Sequence, residues 1–287
     1  MCKSLTLLST LSTAAAAFVC FSLLMIPHGA QAQTAPAKAV AKGPRMSDGK
    51  PNLNGVWQAI TTANWDIQDH SAAPGPMWQL GAIGAIPAGQ GIVEGNEIPY
   101  TPAGLAKKKQ NKASWPAEDP EAKCYMPGIP RATYMPFPFQ IIQSNKDILM
   151  AYEFASSNRL INMGKPVEAG SDTWMGTSNG RWEGDALVVD VTGLNGLAWF
   201  DRAGNWGSDK LHIVERYNRT SNDVLNYEAT IEDPSVFTLG RSACRSTREP
   251  KRTLRFWNSS ASNSPKSCCT VSIRSSLRNN CPKGELI

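Results

Sequence analysis

The chain is poor in the residues that build metal and redox sites. Its 287 residues include three histidines, and only His70 and His212 lie beyond the first 32 positions. Of seven cysteines, Cys2 and Cys20 are near the start, and Cys244, Cys268, Cys269 and Cys281 follow residue 240, so the body keeps Cys124 alone. A body with one thiol is no disulfide scaffold. The patterns C-x-x-C and H-E-x-x-H, the strongest zinc signals, are missing. No metal and no cofactor are therefore expected. At 41% hydrophobic and 18% charged residues, the chain has enough apolar content to exclude wholesale disorder.

Positive charge is also missing from most of the chain. The formal charge is +5, but residues 240–287 carry +8 and residues 1–239 carry −3. The sequence pI of about 8.8 would suit a nucleic-acid binder, yet the basic residues sit in one terminal segment. A mildly acidic body argues against a nucleic-acid partner.

What is present at the start is an address. Lys3 precedes an apolar stretch from Leu5 to Ile26, and Ala30-Gln31-Ala32 has small residues where a signal peptidase reads. Residues 1–32 are expected to be a signal peptide cleaved before Gln33, and 33–47 an Ala/Pro/Lys-rich linker. The mature protein would then be periplasmic or secreted, with no stable membrane insertion.

Residues 48–239 carry strand and turn signals. Leu53–Ile60 is the first predicted strand. Ala63–Tyr100 has Gly and Pro at short intervals and reads as a long irregular loop. Thr101-Pro102 is an N-cap and first-turn proline for one helix running to about Lys112. Predicted strands follow at Phe139–Gln143, Ile148–Phe154 and Arg159–Met163. Arg181–Glu183 meets Ala186–Thr192 across Gly184-Asp185, a two-residue hairpin signal. Leu211–Arg219 then pairs with Val224–Glu232, whose Leu225, Tyr227, Ala229 and Ile231 alternate with polar residues. The expected fold is mainly β, an antiparallel β-barrel or β-sandwich built from hairpins with one short helix.

From about Gly240 the periodicity stops. Residues 240–287 are rich in Ser and Arg and read as a disordered basic tail. Codon logic sharpens this. Phe256-Trp257-Asn258 requires TTY-TGG-AAY, which read one nucleotide upstream gives Leu-Glu. With permitted codons, residues 256–271 recover an acidic strand-then-helix phrase, as expected of a frame-shifted terminus. A cysteine at the overlap of codons 260 and 261 would give Cys124 a disulfide partner in that alternate frame.

Four motifs stand in order: Asn52-Leu53-Asn54-Gly55-Val56-Trp57, Cys124-Tyr125-Met126-Pro127-Gly128-Ile129-Pro130-Arg131, Gly180-Arg181-Trp182-Glu183-Gly184-Asp185-Ala186-Leu187-Val188-Val189-Asp190, and Leu211-His212-Ile213-Val214-Glu215-Arg216. The set resembles a family of exported bacterial proteins, common in soil bacteria, of no established activity. The likeness spans about residues 48–239, and the chain departs from it near Gly240. It implies no substrate.

The candidate chemistry rests on few residues. Gly176-Thr177-Ser178-Asn179-Gly180 matches G-x-S-x-G, but no strand-to-helix elbow is predicted around it, which reads as a chance match in a turn. A neutral imidazole at His212 is a candidate acid or base, with Asp201, Glu183 or Asp190 to orient it; the plainer reading is a histidine hydrogen-bonded on a sheet surface. Eight tryptophans fall in the body. Trp65, Trp78, Trp174 and Trp206 have loop-like settings and are candidates to line a cleft for a sugar or flat ligand. Arg131, after a Pro-fixed segment, is placed to clamp a ligand carboxylate or, equally, one of the body's own. The leading expectation is binding of a small organic or glycan ligand. The alternatives are an acid–base enzyme, a hydrolase or lyase using His212 with Asp201 or Glu183, and an envelope interaction module. A pocket lined only by Trp and aliphatic groups would favour binding; one gathering His212, an acid and Arg131 would favour the enzyme. N-terminal sequencing of exported protein should begin at Gln33; a chain beginning at Met1 would refute cleavage.

Overall fold

The computed structural model describes residues 43–238 and two further strand segments, Thr253–Phe256 and Val271–Ser275. The expected leader, most of the linker and the rest of the tail lie outside the described residues. Eight strands from the body form one curled sheet, a half-barrel. They are β1 (Gly55–Ala59), β2 (Phe139–Gln143), β3 (Asp147–Tyr152), β4 (Asn158–Asn162), β5 (Thr177–Glu183), β6 (Ala186–Thr192), β7 (His212–Arg219) and β8 (Val224–Glu232), each beside its neighbour in sequence. The mainly-β, hairpin-built expectation holds.

Local sequence explains the hairpins. Ser144 Oγ accepts from the amides of Lys146 (3.2 Å) and Asp147 (3.0 Å), which closes the turn between β2 and β3. Gly184 turns β5 into β6 at φ +61°, a left-handed conformation that costs glycine nothing. The β4–β5 pair departs from the antiparallel rule: Ile161 pairs with Ser178 in parallel, because the connection over residues 163–176 is long enough to return β5 in the same direction. Asn179 fixes that connection, donating to the Val167 carbonyl and accepting from the Val167 amide, both at 2.9 Å. Ser178 therefore stands inside a strand rather than in the turn the sequence implied.

The tail reading needs a correction over nine residues. β9 (Thr253–Phe256) pairs with the second half of β8, while β10 (Val271–Ser275) pairs with its first half and with β1. Both segments alternate apolar and polar residues, the period that a strand requires.

Helix α1 (Pro102–Ser114) begins where its cap predicts, with Thr101 Oγ1 accepting from the Gly104 amide at 3.0 Å. A second, four-residue helix α2 (Arg131–Tyr134), which the sequence reading missed, is wholly buried. Four residues are too few to show a helical period.

The concave face of the sheet holds the core, including Trp57, Phe139, Ile141, Ile161, Leu187, Val189, Ile213 and Ile231. A charged pair lies among them. Arg159 on β4 and Glu215 on β7 are buried and joined through Arg159 Nη2 and Glu215 Oε2 at 2.5 Å. Tyr217 and Tyr227 hydroxyls donate to Glu215 Oε1 at 3.0 and 2.8 Å. Burial opposes the Arg159 charge, but Glu215 outweighs it and raises the guanidinium's pKa above its ordinary value. Replacing Arg159 with Leu strands the Glu215 carboxylate and should cost about 3–5 kcal/mol in urea unfolding; a loss under about 1 kcal/mol, typical of an exposed pair, would contradict its burial.

Candidate functional site

After β1 the chain enters the irregular stretch before α1, and a knot of buried charge holds it in place. Arg131, at 1% exposure, donates through Nε to Asn64 Oδ1 (2.9 Å). Its two terminal nitrogens grip Asp119 at 2.8 and 3.1 Å, and Nη2 also reaches Glu121. Glu121 in turn accepts from Arg202 at 2.6 and 2.8 Å, and the Arg202 guanidinium lies 4.1 Å above the Trp65 ring. Burial works against both charges. The paired groups win, so Arg131 is held above and Glu121 below its ordinary pKa. Of the two readings of Arg131, its fork is spent on carboxylates of its own chain, not on a ligand.

Asp201 is fully buried beside this knot, far from the role of orienting His212. Its oxygens accept from the amides of Ile67 (2.9 Å) and Asn205 (3.0 Å), and from the Asn205 side chain. Burial and the neighbouring Asp66 charge push its carboxyl up to about 6 against those hydrogen bonds. Asp201 ties residues 201–205 to the root of the irregular stretch.

His212 lies on the convex face, half-exposed between two carboxylates. Nε2 is 2.9 Å from Asp190 Oδ1, and Nδ1 is 3.5 Å from Glu232 Oε2. Glu183 instead pairs with Arg181 and Arg216, whose hydrogen bonds lower its pKa. The proposed partnership of His212 with Asp201 or Glu183 is thus replaced by Asp190 and Glu232. Glu232 was legible: it stands opposite His212 once β7 and β8 are counted outward from their turn. Among the described residues no group of three His, Cys, Asp or Glu is arranged to hold a metal ion.

The four candidate tryptophans are in different settings. Trp65 packs under Arg202 and edge-on to Trp115 at 6.2 Å. Trp174 lies against Tyr125, ring centroids 5.4 Å apart, and Trp206 donates to the Gly104 carbonyl at 3.1 Å. Trp78 alone is mostly exposed, at 76%.

Trp78 belongs to an arm, residues 70–89, held at its root by paired backbone hydrogen bonds between His70 and Gly89 and further out between Ala73 and Ile86. Between Asp69 and Glu94 there is no acidic or basic side chain apart from His70. A 3₁₀ segment, Trp78–Gly84, forms the tip, and Met77, Leu80 and Ile83 are exposed with Trp78. Gly75 lets the two sides meet, since a Cβ there would lie 1.7 Å from the Gly84 carbonyl oxygen. The fold of the arm carries a shallow, open pocket of about 410 Å³ lined by Ala72, Ala73, Pro74, Gly75, Trp78, Gly81, Ala82 and Ala85.

No family model, curated protein or solved structure matches the chain.

The Asp201 environment has a pH signature. The folded carboxyl titrates near 6 and an unfolded aspartate near 3.9, so the folded state holds the proton more tightly. Its contribution to stability is fully present below about pH 4 and declines as pH rises through 6. Unfolding free energies at pH 4.5 and 7 should therefore differ less for Asp201→Asn than for the parent. Identical pH slopes would remove Asp201 from this account.

Proposed function

We propose that the domain is an exported binding protein for a small, uncharged, largely apolar organic ligand, held in the pocket of the arm. The observation that carries this reading is the lining: one tryptophan and seven Ala, Pro and Gly residues, without a charged group. Small side chains leave the indole face of Trp78 open, and a flat apolar molecule stacked on it removes apolar area from water at about 25 cal/mol per Å². Such a wall suits an organic ligand better than a glycan, whose hydroxyls need partners.

Geometry also weighs against the acid–base alternative raised by the sequence. Acid–base chemistry asks for the imidazole, an acid and Arg131 about one pocket; here Arg131 is consumed in the charge knot, and His212 is flanked by Asp190 and Glu232 on the convex face. Binding is the reading that the pocket's chemistry favours.

The test uses N-phenyl-1-naphthylamine, a neutral apolar fluorophore. Its emission should rise on mixing with the mature protein, and Trp78→Ala should weaken binding at least tenfold, about 1.4 kcal/mol, with unfolding unchanged because the side chain is exposed. Equal binding by parent and variant would overturn the proposal.

A further inference from the structure

A second cleft opens at the root of the same arm, and its chemistry is different. It has a volume of about 300 Å³ and lies between Ile60-Thr61-Thr62, which follow β1, and Ala88-Gly89-Gln90-Gly91-Ile92, which return from the arm. Both walls are fixed. Gly89 exchanges two backbone hydrogen bonds with His70, at 2.9 and 3.0 Å, and the Ile92 amide donates to the Ile67 carbonyl at 2.8 Å. The Gly91 amide donates to Asp69 Oδ1. A Cβ on Gly89 would lie 1.7 Å from Thr62 Oγ1 and 2.7 Å from His70 Cε1, so the walls close to this distance only because residue 89 is glycine.

The lining has unspent hydrogen-bonding capacity. Among the described residues, the Thr62 hydroxyl and the Gln90 side chain make no hydrogen bond, and Thr61 Oγ1 accepts one from the Ala63 amide while its own proton is unclaimed. Behind Gly89, His70 Nδ1 lies 2.9 Å from the Gln68 carbonyl. A carbonyl only accepts, so Nδ1 carries the proton and Nε2 presents a lone pair. That Nε2 is buried and without a partner. It is not among the groups that line the cleft, so the groups that face a ligand are those of Thr61, Thr62 and Gln90.

We infer that this cleft binds a neutral, hydroxyl-bearing molecule of monosaccharide or small polyol size. No charged side chain lines it, so it offers nothing to neutralise an ion. Ile60, Ala88 and Ile92 supply an apolar floor for the C–H face of such a molecule, and Thr61, Thr62 and Gln90 supply mixed donors and acceptors for its hydroxyls. This site is separate from the Trp78 pocket and takes the opposite class of ligand.

The experiment is saturation-transfer NMR of the mature protein with D-glucose and with glycerol, each at millimolar concentration. Saturation should transfer to at least one probe. Thr62→Val and the solvent-exposed Gln90→Ala should each weaken binding about five- to tenfold, the worth of one hydrogen bond, while Trp78→Ala leaves it unchanged. Absence of transfer to both probes, or transfer that survives both substitutions, would each overturn the inference. Loss through Trp78→Ala alone would assign any binding to the apolar pocket instead.

Discussion

One guanidinium makes the irregular part of this protein definite. Residues 60–100 contain only short 3₁₀ turns and isolated bridges, so their backbone cannot rely on a ladder for its position. Arg131 supplies the substitute. It sits at the first position of α2 and binds Asn64, Asp119 and Glu121 at once. Glu121 passes the connection to Arg202, and Arg202 to the ring of Trp65. Two separate loop segments are thus fastened to one planar cation, and a third is joined to it through Glu121. A planar fork with five donors can do this where a lysine cannot. The cost is the desolvation of four charges, and the carboxylates offset it only because every strong donor is matched.

The two buried charge clusters serve different parts of the molecule. Arg159 and Glu215 bind the two sides of the half-barrel across its core, with three hydroxyl-bearing side chains around them. The Arg131 cluster and Asp201 together hold what lies outside the sheet. Their joint product is the root of the arm: Asp201 accepts from the Ile67 amide, and Ile67 accepts from Ile92 on the returning strand. The two clefts on the arm therefore sit on a segment whose root is fixed and whose tip is exposed.

The convex face is different in kind. His212, Asp190, Glu232, Arg181, Glu183 and Arg216 form pairs of opposite charge in partial solvent, all across strands except Arg181 with Glu183 on β5, where each pair contributes little and the set keeps the face wet. A histidine there is held by carboxylates on both ring nitrogens, the plainer of the two readings that its strand position allowed.

Period-2 alternation determined the strands of this protein, because one face of a curled sheet must be apolar and neighbouring residues point to opposite faces. That is why β8 was legible residue by residue; the start of α1 was legible from another signal, its Thr101 cap and Pro102. The same rule displayed Arg159 and Glu215 at inward positions but said nothing of their meeting, since β4 and β7 are far apart in the chain. Arg131 shows the limit most clearly. Its residue type gave a fork for a carboxylate; whether that carboxylate was foreign or native depended on Asp119 and Glu121, twelve and ten residues before it, folding back, which no local pattern encodes. The tryptophans were equally ambiguous for the same reason: an indole reads alike in sequence whether it lies under Arg202, against Tyr125 or open on an arm. Only the tertiary structure separated Trp78 from the rest, because exposure is set by what other segments fail to cover, and that is decided by packing at long range.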